Sequence, residues 1–380
     1  MISLFGYYAQ AQLFGPIMRD FQQGEEAVGW LFSLENTVLA VSGLLIAGPL
    51  ARWSRARTAL YAGGLAVVAN FASAFVGSFE ALVVARFIAG VGSGVAGAAG
   101  TAAAASTRDP DRMFAAVTLA WGLASVAEPA IVPFATVPFG SMGGFLLVGG
   151  VCLAVLPLML WLIPPRKGKE ENPSLWTAPN RALAVVAMLA LLVFEIGQGG
   201  IYTFVEQIGL RSDLTEHQIG VTLTGTGLVG LVGAALAVVL GTRYGRSAPI
   251  IIGLALNVAA SVVLATSEDA ATFIGANWLW SAAYNFVVPY MMGAMAQLDD
   301  LGRWVVASDA IWTLGDGLGP GIAGSVVARG GYDELAGLGL VTGTVCLVVI
   351  LGVLRRMGAF ENQPDSTGPG GVASPPESGS

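Results

Sequence analysis

The sequence predicts an all-α integral membrane protein, with twelve transmembrane helices arranged as two pseudo-symmetric six-helix bundles. Three observations carry that prediction. First, the chain repeats when slid along itself by 191 residues: Arg52-Trp53-Ser54-Arg55 falls on Arg243-Tyr244-Gly245-Arg246, Arg112 on Arg303, Trp121 on Trp312 and Pro129 on Pro320. A doubled helical unit can enclose a polar path between its copies, which one bundle could only bury. Second, 55% of the residues are apolar and only 11% are charged, and the charges fall in short clusters. That is the composition of a chain solvated by lipid. Third, fourteen arginines and lysines fall in segments on one side of the predicted spans and three on the other, which orients the molecule by the positive-inside rule.

Each span follows from an apolar run near the roughly 20 residues that cross a bilayer core as helix. In the first half these lie at 1–18, 27–50, 58–79, 81–105, 113–136 and 139–163, and in the second at 182–205, 216–241, 248–266, 270–296, 304–328 and 335–354. The runs are about twice the length of a barrel strand and lack its alternation. Four segments follow: a first bundle over 1–163, a cytoplasmic linker over 164–181 containing Arg166-Lys167-Gly168-Lys169, a second bundle over 182–356, and a disordered tail over 357–380 rich in Pro, Gly and Ser. Both termini are expected in the cytoplasm, with the chain multi-pass in the plasma membrane, the inner membrane of a bacterium. The seventh span opens near Arg181, so the repeat places the start of its counterpart about ten residues before Met1; a chain beginning inside its first helix is the expectation. No cleavable leader is expected.

The polar residues inside the spans are the candidates for function. Arg86 lies about six residues into the fourth span. An unpaired cation there costs about 2.5–3.5 kcal/mol, so it needs a partner, and Glu35 and Glu128 lie at matching depth. Such a pair serves either as a releasable lock or as a static structural tie. On the seventh span Glu195, Gln198, Tyr202 and Glu206 share a helix face beside Gly197, Gly199 and Gly200, where the glycines could let the helix bend or unwind. Glu195 is mid-membrane, where low dielectric disfavours a bare charge and suits a proton carrier. Glu206 is expected nearer the outer mouth and solvated. Asp316, within Leu314-Gly315-Asp316-Gly317, is a second mid-membrane carboxyl. Cys152 and Cys346 read as buried free thiols, and His217 sits in a capping pattern, Thr215-Glu216-His217-Gln218. No metal cluster, cofactor motif or nucleophile–base arrangement is present, so an enzyme is not expected, and no phosphate-binding glycine loop supports an ATP-driven pump.

Two motifs resemble the major facilitator superfamily of secondary transporters. Its basic turn between the second and third spans, Gly-x-Leu-Ala-Asp-Arg-x-Gly-Arg-Arg, is similar to Arg243-Tyr244-Gly245-Arg246 in the second half, with Thr242 at the usual aspartate. The first-half copy, Gly48-Pro49-Leu50-Ala51-Arg52-Trp53-Ser54-Arg55-Ala56-Arg57, is degraded. Arg86-Phe87-Ile88-Ala89-Gly90-Val91-Gly92 resembles the family's fourth-span pattern Arg-x-x-x-Gly-x-Gly. Ala127-Glu128-Pro129 stands where family antiporters carry a glycine-rich signature, and that signature is missing.

The resemblance implies alternating access, with the first, fourth, seventh and tenth spans lining a central path and the basic turns latching the cytoplasmic side. The expected function is secondary active transport of a small organic solute, proton-coupled, by a monomer in lipid without nucleic-acid partners. Expected substrate or proton ligands are Glu195, Gln198, Tyr202, Arg86, Asn277, Tyr284, Asn285 and Gln10. Expected coupling or gating residues are Glu35, Glu128, Asp316, Arg243 and Arg246. The alternative is a membrane sensor or scaffold that keeps the fold without transporting.

Overall fold

The computed structural model describes residues 2–50, 53–105, 110–161, 180–241, 243, 245–298 and 303–361. These form ten α-helices: α1 (Ile2–Phe21), α2 (Glu25–Leu50), α3 (Arg55–Phe75), α4 (Phe79–Ala105), α5 (Pro110–Val155), α6 (Arg181–Arg211), α7 (Glu216–Leu240), α8 (Ser247–Ala265), α9 (Ala270–Ala296) and α10 (Arg303–Glu361). A 3₁₀ turn, Leu156–Trp161, continues α5. It begins beside Pro157, which has no N–H for the α-helical ladder, and so shortens the helix expected to reach 163. The expected linker lies outside the described residues except at 180–181, as does most of the expected tail.

Eight stretches among the described residues are long and apolar enough to cross a membrane. The 27-residue α9 is not among them. It is uncharged, but Asn277, Ser281, Tyr284 and Asn285 dilute its hydropathy, and the same residues bring it to the site described below.

The separate spans expected at 113–136 and 139–163 run together as α5, and those at 304–328 and 335–354 as α10. Each long helix breaks at a single glycine, Gly140 (φ 59°, ψ −148°) and Gly331 (φ 73°, ψ −161°). Backbone of that hand is open to glycine at little cost. The two breaks stand 191 residues apart, the offset of the repeat. Each has a contact from the last turn of the first helix of its half. At Gly140 the carboxylate of Asp20 accepts from the Ser141 amide at 2.7 Å and hydroxyl at 2.6 Å, and Arg211, 191 residues beyond Asp20, stacks on the Tyr332 ring at 4.4 Å.

Further contacts repeat at that offset. The Gly29 backbone of α2 packs on the Pro320 carbonyl of α10, and Gly220 of α7 packs in the same way on the Pro129 carbonyl of α5. Both contacts cross between the halves, and neither glycine could carry a side chain unless that carbonyl moved. Within the halves, Glu35 pairs with Arg86, and the corresponding Thr226 hydrogen-bonds Asn277 at 2.8 Å. The same geometry carries a charged pair in one copy and a neutral pair in the other.

The apolar core follows this arrangement. At the end holding Gly29 and Gly220, one cluster draws on both halves, with Phe14 of α1 and Phe204 of α6 in contact at 4.6 Å between ring centres. At the opposite end, which carries Arg55, Arg243 and Arg246, the cores separate. One cluster, around Phe194, Leu254 and Met291, uses only residues beyond 180, and another, around Leu50, Ala59 and Ala99, uses only residues before 180. The halves therefore close on each other at one end.

Candidate functional site

A cavity of about 610 Å³ lies between the halves, on the arginine-bearing side of the Gly29 and Gly220 contacts. Its wall takes Tyr7 and Tyr8 from α1, Asn36 and Leu39 from α2, Ser125 and Pro129 from α5, and Gln198 and Tyr202 from α6. Leu223, Thr226, Gly227, Leu231 and Ala234 of α7, Trp280, Ser281, Tyr284 and Asn285 of α9, Trp312, Thr313 and Asp316 of α10, and Gly122 of α5 complete it. The volume suits a small organic molecule.

Two contacts tie the halves across this space. The Tyr7 hydroxyl donates to Oδ1 of Asp316 at 2.7 Å, and the Tyr202 hydroxyl donates to the Tyr8 carbonyl at 3.1 Å. The Tyr7 and Tyr202 rings stack at 5.8 Å, 8° from parallel. Asp316 can sit beside them because α6 presents glycine there: the backbone at Gly199 packs against Asp316 and that at Gly200 against Gly319. The glycine cluster expected to bend or unwind is instead an unbroken part of α6, used for close approach of α10. The titratable groups facing Asp316 are Tyr7 and Tyr8 of α1, Glu195 and Tyr202 of α6, and Tyr284 of α9.

Of the residues singled out from sequence, Gln198, Tyr202, Tyr284, Asn285 and Asp316 stand in the cavity wall. Glu195, Asn277 and Gln10 stand one layer behind it. Tyr284 donates to Oε2 of Glu195 at 3.2 Å, Thr226 donates to Asn277, and Gln10 exchanges hydrogen bonds with Asn36, both at 2.9 Å. Glu35 and Arg86 lie deeper still. Arg86 meets Glu35 at 3.2 Å rather than Glu128, donates to Ser73 at 2.8 and 3.1 Å and to Asn70 at 3.0 Å, and lies over the Phe145 ring at 4.7 Å. Every nitrogen of its guanidinium has a partner.

Glu128 is fully buried beside the cavity-lining Pro129, and neither carboxylate oxygen meets a hydrogen-bond partner among the described residues. Glu206, expected to be solvated, is 2% exposed. Arg19 of α1 and Glu216 of α7, paired at 3.1 Å, are the charged groups that act on it electrostatically. Arg243 is exposed, and the Arg246 guanidinium lies against Gly293 of α9; both are outside the cavity wall. The capping box at Thr215 and Gln218 forms, and both cysteines are buried thiols.

Sequence reasoning passed over Trp280, Trp312, Tyr8 and Asn36 as site residues. Trp312 had a signal in its pairing with Trp121 across the repeat. Asn36 follows Glu35 directly, and only the register of α2 against α1 shows that the amide turns to the cavity.

A membrane-spanning helical protein whose halves meet around a polar, aromatic-walled cavity has the architecture of a transporter. The comparisons agree. The family model described as Major Facilitator Superfamily matches residues 1–208, and the chain belongs to that family of membrane transport proteins. Among solved structures, the chain is similar to a bacterial homolog of the human lysosomal transporter Spinster in an inward-facing, occupied conformation (TM-score 0.75, 11% identity, 97% of each chain covered). It is also similar to a transporter of the POT family in complex with a thioalcohol-conjugated peptide (0.74, 13%, 93% of this chain and 94% of that one) and to the nucleoside transporter NupG (0.70, 13%, 95% and 98%). A search of curated proteins by sequence found no match.

Proposed function

We propose that the chain is a proton-coupled secondary transporter of a small organic solute, working by alternating access. In this reading twelve spans form two six-helix bundles, 1–163 and 182–356, joined by a cytoplasmic linker at 164–181 and followed by a cytoplasmic tail at 357–380. It works as a monomer in the plasma membrane of a bacterium, with both termini inside. Gly140 and Gly331 each separate two spans, which brings the ten helices to twelve. The apolar seal at the Gly29 and Gly220 end is then the outer gate, and the structure is inward-facing.

The observation that carries the reading is the bond from Tyr7 to Asp316, which joins the two halves across the wall of the cavity they enclose. A hydrogen bond to a charged group contributes about 1.5–3 kcal/mol and a neutral one about 0.5–1.5. Protonating Asp316 therefore weakens this tie by roughly 1 kcal/mol, about fivefold in the ratio of two conformers. That couples proton occupancy to the relative position of α1 and α10. Glu195, reached through Tyr284, is the second proton site, and the Glu35–Arg86 pair acts as a positioning element through Gln10 and Asn36.

The test is solute flux in proteoliposomes under an imposed pH gradient. Flux is expected to follow the gradient, to be lost in Asp316→Asn and to fall at least tenfold in Glu195→Gln. Gradient-driven flux that survives Asp316→Asn unchanged rejects Asp316 as the coupling site, and purified protein that moves no solute favours a sensor or scaffold.

A further inference from the structure

We infer that the solute is an amphipathic organic cation, an aromatic or alkyl amine, with Asp316 as its charge partner. This rests on the transport reading and adds the substrate class to it.

Charge comes first. The described wall carries one ionisable acid, Asp316, and no lysine, arginine or histidine. Two more carboxyls lie immediately behind it. Glu195 has one oxygen on the Tyr284 hydroxyl and the other without a partner, and Glu128 has both without one among the described residues. Arg86, the one base buried behind this wall among the described residues, is already held by Glu35, Ser73 and Asn70. An anion entering here would meet carboxyl groups and no counter-charge, at a cost of several kcal/mol in a low-dielectric site.

The polar groups sharpen the choice. The amides of the wall spend part of their hydrogen-bonding capacity inside the protein, Gln198 on Asn257 at 3.0 Å, Asn36 on Gln10 and Asn285 on the Ser281 carbonyl at 2.9 Å, which leaves fewer groups for a sugar or other neutral polyol. Among the described residues Asp316 takes one hydrogen bond, on Oδ1, which leaves its other oxygen as a strong acceptor in the wall. Rings supply the remaining recognition. Tyr284 and Trp312 meet edge to face at 5.9 Å, Trp280 lies 6.4 Å from Tyr284, and the Tyr7–Tyr202 stack closes the outer end. Aromatic faces attract a desolvated cation by about 0.5–2 kcal/mol each. Leu39, Leu223 and Leu231 offer surface for an apolar substituent. A proton and an ammonium neutralise the same carboxylate, so each excludes the other and the cycle is an exchange.

The experiment compares two probes of equal shape and opposite charge, tetraphenylphosphonium and tetraphenylborate, by titration calorimetry on the purified full chain against empty micelles. The phosphonium is expected to bind saturably and at least tenfold more tightly than the borate. Asp316→Asn should remove that preference, and Trp312→Leu, which keeps the charge, should weaken phosphonium binding about three- to tenfold. Equal or reversed preference in the unmodified protein overturns the inference. So does phosphonium binding that ignores Asp316→Asn, or, if that variant does not fold, binding that ignores Trp312→Leu. Gradient-driven flux of an anionic or neutral solute with no phosphonium binding rejects the cation and leaves transport standing. Phosphonium bound at Asp316 without any flux supports the cation site and rejects transport.

Discussion

Arg86 shows how far a single residue can be read. Its depth in an apolar run demands a partner, and the structure provides an unusually complete one, with the Glu35 carboxylate, Ser73, Asn70 and the face of Phe145 sharing one guanidinium. The equivalent positions in the second half are Asn277 and Thr226, which make a neutral hydrogen bond. The fold therefore tolerates an uncharged pair at this place, and the charged version is an expensive choice made in one half only. Removing one member strands the other. Arg86→Met alone is expected to destabilise the protein by about 3–5 kcal/mol, whereas Glu35→Thr with Arg86→Asn, which copies the second half, recovers most of the loss. Thermal unfolding in detergent of the two singles and the double checks this, and a double variant no more stable than the worse single would show the pair to be irreplaceable.

At the scale of helices, close approach is made by glycine against backbone. Gly29 and Gly220 meet Pro320 and Pro129 across the halves, and Gly199 and Gly200 admit α10 against α6. A side chain at any of these must push a helix away, at a cost of about 1–3 kcal/mol for overpacking. Gly29→Leu and Gly220→Leu should therefore lower thermal stability by similar amounts, because they occupy equivalent contacts. Gly64→Leu on α3, with open space around it, should change little. Unequal effects of the first two would mean that only one of the contacts is closed in solution.

The sequence announced this level of organisation through the 191-residue offset, since punctuation such as Pro129 and Pro320 recurs where backbone contacts recur. It did not announce how tightly the chain turns within α5 and within α10, where a single positive-φ glycine, Gly140 or Gly331, stands in place of the loop that two spans ordinarily need. Nor did it show which polar residues share the wall. Tyr7 and Asp316 lie 309 residues apart, and only the register between α1 and α10 brings them together. Glu206 misled for the same reason: its position along α6 suggested the mouth, while packing against the rest of the molecule leaves it 2% exposed.

For the whole molecule, the distribution of cores fixes which end is shut. One apolar cluster spans both halves at the Gly29 and Gly220 end, and separate clusters serve each half at the arginine-bearing end. Along α7, Gly220 marks the seal and Ala234, fourteen residues on, lines the cavity, a distance of about 21 Å at 1.5 Å per residue. If the arginine-bearing end faces the cytoplasm, as expected from the charge bias, Ala234 is reachable from inside and the seal blocks it from outside. In a background with Cys152 and Cys346 replaced by alanine, Ala234→Cys should react with a membrane-impermeant maleimide in inside-out vesicles and not in intact cells. Val132→Cys, fully buried in the seal, should react in neither. Agents that favour the outward-open state should reverse the pattern at Ala234, because under alternating access a cavity open at one end is shut at the other. Labelling of Ala234→Cys from outside in the resting protein would show that the seal is not the outer gate, and the assignment of the closed end to the cell exterior would fall with it.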